Sequence, residues 1–192
     1  MNLPNKLSLL RIILVPVMAV LYVVEIPLAP LWAVIVFILA ACTDFLDGYI
    51  ARKYHLVTDL GKLLDPIADK LLVAMALLLV AESNILPIGV GSIAAGIIIG
   101  REFLISAIRQ IAAGKGIIIQ ANVYGKIKTI CQDIALPLLM LLKMKEDLIA
   151  LSSVLYDVLR YAAYVTFGVA VFMTILSCVI YLIQNKSVFR QE

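Results

Sequence analysis

The chain has 192 residues, 64% of them hydrophobic, and its mean hydropathy is +1.07. Soluble domains hold about 45–50% apolar residues, so this composition excludes an ordinary soluble protein. The formal net charge of +3 is too small to indicate a nucleic-acid partner.

Apolar stretches long enough to cross a bilayer recur along the sequence. One span needs about 20 mostly apolar residues, so the chain has room for about six spans. Residues 1–11 predict a short interfacial helix, and no cleavable signal is evident there. Prolines and charged patches place the spans at about 12–24, 31–52, 61–81, 88–112, 124–142 and 156–184. We therefore expect an all-α integral membrane protein with about six transmembrane helices, in a single domain covering residues 1–192.

Basic residues indicate how the spans are oriented. With a cytoplasmic N-terminus and six spans, most lysines and arginines fall on the cytoplasmic side. The connection between the second and third spans lies on that side. We expect this connection to carry the chemistry, because its flanks hold a cluster of acids.

Four aspartates bracket this connection. Asp44 and Asp47 share one helical face, and Asp65 and Asp69 share a face of the next helix. If the helices are antiparallel neighbours, the carboxylates converge, and unit charges about 4 Å apart repel by roughly 4 kcal/mol at an effective dielectric of 20. Protonation or bound cations would relieve that repulsion, and all-oxygen ligands favour Mg²⁺ or Mn²⁺. Alternatively, the acids face loop water and nearby basic side chains.

The spacing of these acids follows a longer pattern, D-x-x-D-G-x-x-A-R in residues 44–52 and G-x-x-x-D-x-x-x-D in residues 61–69. It resembles the signature of the CDP-alcohol phosphotransferase family, with no fixed position missing. Residues 2–11 and the chain length are similar to the phosphatidylglycerophosphate synthase branch of that family.

The resemblance implies a reaction and a set of site residues. The phosphatidyl group of CDP-diacylglycerol would pass to sn-glycerol 3-phosphate, with two Mg²⁺ or Mn²⁺ ions on the four aspartates and Asp69 also serving as the general base. The expected setting is a homodimer in the plasma membrane, and the distribution of basic residues predicts an active site on the cytoplasmic side. CDP-diacylglycerol would bind at Asn5, Gly48, Ala51, Arg52 and Gly61.

Some of these positions have a simpler explanation. Gly48 and Gly61 would let a diphosphate approach the backbone, but small residues also serve close helix packing in membranes. The Arg52 guanidinium would bind a phosphate, or its side chain only extends to the membrane interface to keep its charge in water. His55 is expected to be a turn residue and not a metal ligand.

A second group of charges lies farther along the chain. Arg101 and Arg109 share a face of the fourth span, and Lys126 and Lys128 begin the fifth. Intramembrane charges usually face a polar cavity or a partner, so these four residues predict a pocket for the acceptor phosphate. Alternatively, Glu102 and Asp133 neutralise some of them.

Two other functions remain open at this point. An inositol phosphate also carries a phosphomonoester, so a synthase using that acceptor fits the same residues. A small cation transporter would also place acids in a membrane, but no inverted repeat is found in the sequence.

Overall fold

The computed structural model describes residues 2–53, 59–114 and 123–185. In these ranges it does not describe the side chains of residues 3, 4, 44–53, 59, 60, 62, 63 and 151. The described part contains seven α-helices and no strand. They are α1 (Leu3–Val23), α2 (Ala29–Lys53), α3 (Asp59–Glu82), α4 (Val90–Gly114), α5 (Val123–Leu141), α6 (Lys145–Leu151) and α7 (Ser153–Gln184).

Local chemistry explains where the helices begin and end. The α1–α2 connection contains Pro27 and has Leu28 at φ 62°, and Gly89 at φ 81° precedes α4. At the start of α7 the Ser152 hydroxyl accepts a bond of 3.3 Å from the Leu155 N–H, which satisfies one of the open N-terminal donors. Five of the predicted spans match long helices to within a few residues, whereas the first, predicted at 12–24, belongs to a helix that already begins at Leu3.

Two features differ from the predictions. The expected interfacial helix is not a separate element, because α1 runs unbroken from Leu3 into the first span. Its polar residues Asn5, Ser8 and Arg11 are buried against neighbouring helices instead of lying in an interface. The charged stretch after α5 forms a 3₁₀ turn and the short α6, whose first turn carries Glu146 and Asp147. Acidic side chains there favour a helix N-terminus.

The chain is an all-α membrane protein. In the described residues, three helical segments are long and apolar enough to span a bilayer, Asn5–Val23, Val90–Gly114 and Ser153–Gln184, and the apolar part of α2 is shorter. Helix α1 packs against α2 and α3, α3 contacts α4, and α7 contacts both α4 and α5. One continuous apolar core joins these helices, with Met18, Phe37, Leu77, Ile98 and Leu136 almost fully enclosed.

Candidate functional site

The two halves of the aspartate motif lie on consecutive helices that contact each other. Asp44, Asp47, Gly48, Ala51 and Arg52 belong to the last part of α2, and their side chains lie outside the described part of the structure. Gly61, Asp65 and Asp69 belong to the first part of α3, where Gly61 is buried. His55 lies between the helices, in the range outside the description.

Asp65 and Asp69 occupy different environments on one face of α3. Asp65 is half-buried, and the buried hydroxyl of Ser8 on α1 donates a hydrogen bond to its Oδ1. Asp69 is more exposed and lines a cavity between α3, α4 and α5. Thus the Asp65 carboxylate is held by a neighbouring helix, whereas Asp69 lies at the polar cavity between α3, α4 and α5.

The donor chemistry around Asp65 fits a divalent ion. A carboxylate whose one oxygen accepts a hydrogen bond keeps its second oxygen for a metal, and such outer partners orient metal ligands. Among the described residues no group of three or more histidine, cysteine or acidic side chains is close enough to hold a metal. The predicted set of four includes Asp44 and Asp47, whose side chains are not described, so convergence of all four stays a prediction.

Helix α1 carries three buried polar side chains, of which Ser8 contacts Asp65. Asn5, Ser8 and Arg11 are at most 4% exposed, and they follow one another at three-residue intervals. Arg11 Nε donates to the Ala40 carbonyl at 3.1 Å and to the Thr43 hydroxyl at 3.4 Å. These bonds tie α1 to α2 just before Asp44. Of the three, only Asn5 is a predicted site residue, although their regular spacing is a visible signal in the sequence.

Two of the four predicted basic residues meet at one carboxylate. Lys128 is 3% exposed, and its ammonium donates to Glu102 Oε1. Arg101 Nη1 donates to the same oxygen at 3.1 Å, and its Nη2 donates to the Ser177 hydroxyl at 3.2 Å. Glu102 therefore shares its charge between two cations, and the cluster of three groups keeps an excess of one positive charge.

The other two predicted basic residues lie apart from this cluster. Arg109 is exposed two helical turns beyond Arg101, about 12 Å along the axis, and its guanidinium lies 5.8 Å from the centre of the Tyr181 ring. Lys126 is exposed on α5. Thus the structure brings Arg101 and Lys128 together through Glu102, the neutralising partner considered above.

The cavity beside Asp69 connects the aspartate motif to the charged cluster. Lys70 is among its lining residues and donates to the Ser106 hydroxyl on α4 at 2.5 Å. The remaining polar lining comes from α4 and α5, namely Glu102, Lys128, Thr129, Gln132 and Asp133. Gln132, Ser177 and Ser8 were not predicted as site residues. Gln132 follows Lys128 by four positions, so helical spacing was the available signal for it.

An all-helical membrane bundle, with the aspartate motif beside a polar cavity, defines the class of protein, and comparison with known families agrees. Residues 1–176 match the family of CDP-alcohol phosphatidyltransferases. The chain belongs to that family.

Individual relatives cover most of the chain. A Bacillus subtilis (strain 168) protein is 40% identical over 161 residues, covering 78% of this chain and 81% of its own length. One from Rickettsia bellii (strain RML369-C) is 40% identical over 165 residues, covering 86% and 89%. One from Salmonella choleraesuis (strain SC-B67) is 39% identical over 142 residues, covering 70% and 74%. All three carry the name CDP-diacylglycerol–glycerol-3-phosphate 3-phosphatidyltransferase.

Proposed function

We propose that this protein transfers the phosphatidyl group of CDP-diacylglycerol to sn-glycerol 3-phosphate and releases CMP. The observation that carries the proposal is the cavity lined by both Asp69 of the motif and the buried cation Lys128. An acceptor with a hydroxyl and a phosphate needs such a pair, a base at one end and a positive charge at the other. The names of relatives that match most of the chain support the same pair of substrates.

Binding of the donor is assigned to the motif. Asp44, Asp47, Asp65 and Asp69 would hold two Mg²⁺ or Mn²⁺ ions, for which carboxylate oxygens are suitable ligands. Such ions, when bound, neutralise the diphosphate and the departing CMP. The acyl chains stay in the bilayer, and the head group lies against the residues assigned by the motif and the N-terminal segment, Asn5, Gly48, Ala51, Arg52 and Gly61.

The transfer step moves one proton to the enzyme and one pair of electrons to the departing CMP. The Asp69 carboxylate accepts the proton of the C1 hydroxyl of the acceptor. The hydroxyl oxygen forms a bond to the lipid-side phosphorus, and the bond between that phosphorus and the CMP oxygen breaks. CMP leaves with the bonding pair, and a phosphodiester remains on the lipid.

The acceptor phosphate is assigned to the cationic side of the cavity. A phosphomonoester carries about −1.5 to −2 charges at neutral pH, so it needs cations in a region rich in carboxylates. Lys128 and Arg101 supply them, and Glu102 holds both in place. Arg109 is exposed near the C-terminus of α4, and Lys126 is exposed near the N-terminus of α5. Both would attract the anion before it enters the cavity.

We further propose a one-domain, multi-pass protein of the plasma membrane that acts as a homodimer, with this site on the cytoplasmic side. Buried polar groups collect at one end of the helices, and basic residues cluster near the same end. That arrangement agrees with the excess of basic residues on the cytoplasmic side of membrane proteins.

The test is a comparison of acceptors with purified protein in mixed micelles. CDP-diacylglycerol and Mg²⁺ are supplied, CMP release is measured, and the acceptors are glycerol 3-phosphate, inositol phosphate, inositol, serine and no acceptor. We expect glycerol 3-phosphate to be fastest and EDTA to stop the reaction. Faster release with another acceptor would refute the proposed substrate, and undiminished release in excess EDTA would refute the metal ions.

A further inference from the structure

Gln132 is a buried polar residue whose amide oxygen is not hydrogen-bonded by any described residue. It is 1% exposed, and within the described part of the chain its Oε1 finds no hydrogen-bond partner. Buried side-chain polar atoms nearly always have such a partner. A buried polar atom without one has lost its hydrogen bonds to water and has gained none in exchange, which costs free energy. An orphaned acceptor in a cavity therefore indicates a ligand that donates a hydrogen bond.

The position of Gln132 indicates which ligand. Its side chain lines the cavity that contains Asp69 and Lys128, and it lies one turn beyond Lys128 on the buried face of α5. Lys128 and Glu102 bond to each other, and Lys70 bonds to Ser106. The amide oxygen of Gln132 differs from these groups, because no group in the described part of the chain donates to it.

We propose that Gln132 is a specificity-determining residue whose amide oxygen accepts a hydrogen bond from the C2 hydroxyl of the acceptor. The inference rests on the proposed function, which assigns the phosphate to Lys128 and the C1 hydroxyl to Asp69. The C2 hydroxyl lies between those two ends of the molecule, on the carbon that joins them. The site would thus select a phosphorylated vicinal diol and discriminate against a simple phosphorylated alcohol.

The chemistry of an amide suits this role better than that of a carboxylate. A glutamine oxygen accepts a hydrogen bond without adding negative charge near a phosphate. Its burial fixes the side chain, so little ordering is needed when the acceptor binds. An acceptor that lacked the C2 hydroxyl would leave the amide oxygen unbonded, and sites of this kind reject such analogues strongly.

The experiment compares two acceptors, sn-glycerol 3-phosphate and 3-hydroxypropyl phosphate, which differ only in the C2 hydroxyl. For the wild type we expect kcat/KM to be about 10- to 100-fold lower with 3-hydroxypropyl phosphate. Gln132→Met keeps the side-chain length and removes the oxygen. This variant should lose activity with glycerol 3-phosphate by a similar factor and keep its activity with the analogue, so the ratio of the two kcat/KM values falls to near one.

Two further variants separate recognition from structure. Gln132→Glu retains an acceptor oxygen, so we expect both activities to fall because of its charge while their ratio stays close to the wild-type value. Gln110→Met is the matched control, since Gln110 is an exposed glutamine of α4 outside this cavity. Its activities and their ratio should equal those of the wild type.

The outcomes distinguish this inference from the proposed function. A wild type that uses both acceptors within about twofold would overturn the role of Gln132, as would a Gln132→Met variant that loses both activities equally. If Gln132→Met does not fold, the wild-type ratio and Gln132→Glu decide the question. A wild type that releases no CMP with glycerol 3-phosphate would instead refute the proposed function itself.

Discussion

The two ends of the helical bundle bury different chemistry along the same helix faces. On α1 the buried residues change from Asn5, Ser8 and Arg11 to Val15, Met18 and Tyr22. On α5 they change from Lys128 and Gln132 to apolar residues such as Leu136 and Leu139. Most buried groups at the apolar end need only close packing, apart from contacts such as that of the Lys143 ammonium with the Tyr22 carbonyl, whereas the groups at the polar end require partners.

The polar groups occur at alternating ends of successive helices, as expected for antiparallel neighbours. They lie near the N-termini of α1, α3 and α5 and in the C-terminal halves of α2, α4 and α7. We therefore distinguish a polar end of the bundle, which contains Ser8, Asp65, Asp69, Glu102 and Lys128, from an apolar end. The apolar end therefore holds the helices together, and the polar end uses that framework to position a site.

The largest expected effect comes from removing the carboxylate that faces the cavity. Asp69→Asn keeps the shape of the side chain and removes its basicity, so kcat for CMP release should fall at least about 1,000-fold, within the range known for general bases. Binding of CDP-diacylglycerol should change by only a few-fold, and equilibrium binding in Mg²⁺ measures this. Asp157→Asn, at the exposed start of α7, is the control and should keep full activity. Near-normal turnover of Asp69→Asn would rule out the base.

A smaller effect is expected from the buried cation. Lys128→Met removes a charge-assisted contact worth about 1.5–3 kcal/mol, so the KM for glycerol 3-phosphate should rise at least about tenfold. The KM for CDP-diacylglycerol should change much less. Lys126→Met is the matched control, because Lys126 is exposed, and its effect should stay below about threefold. Equal effects of the two variants would mean that the phosphate does not reach the cavity.

Much of the fold was predictable from the sequence, because prolines, glycines and charged patches divide the apolar runs. The segments predicted near 31–52 and 124–142 became α2 (Ala29–Lys53) and α5 (Val123–Leu141). The prediction of a separate interfacial helix is wrong, because α1 continues without a break from Leu3 to Val23, even through Pro16. The short α6 was missed because its charged residues are also typical of a connection.

The site was predictable where it depends on one helix and not where it depends on two. The shared face of Asp65 and Asp69 follows from a spacing of four residues. The contacts of Ser8 with Asp65 and of Lys128 with Glu102 join different helices. Which side chains meet across helices depends on helix rotation and tilt, so one sequence did not distinguish Lys128 from Lys126.

A moderate effect is expected from the hydroxyl that contacts Asp65. Ser8→Ala removes the bond that orients this carboxylate, and loss of such a partner typically costs 10- to 100-fold in metal affinity. We expect the Mg²⁺ concentration for half-maximal activity to rise about tenfold, with kcat nearly restored at saturating Mg²⁺. Mn²⁺ binding followed by electron paramagnetic resonance measures the same loss without turnover. The control is Ser83→Ala, one residue beyond the C-terminus of α3. Unchanged Mn²⁺ affinity in Ser8→Ala would contradict the positioning role.

The smallest effect on catalysis is expected at the apolar end, one turn beyond Gln132. Leu136 is completely buried, and Leu136→Ala leaves a cavity that should cost about 2–5 kcal/mol of stability, because neighbours relax only partly. The thermal midpoint in detergent should fall clearly, whereas that of Ile134→Ala should change little, since Ile134 is 47% exposed on the same helix. Both KM values and the ratio of acceptor activities should stay at wild-type levels, measured well below the lowered midpoint. A selective rise in the KM for glycerol 3-phosphate would show that packing at Leu136 also positions the acceptor, and the division between the two ends would then fail within a single helical turn.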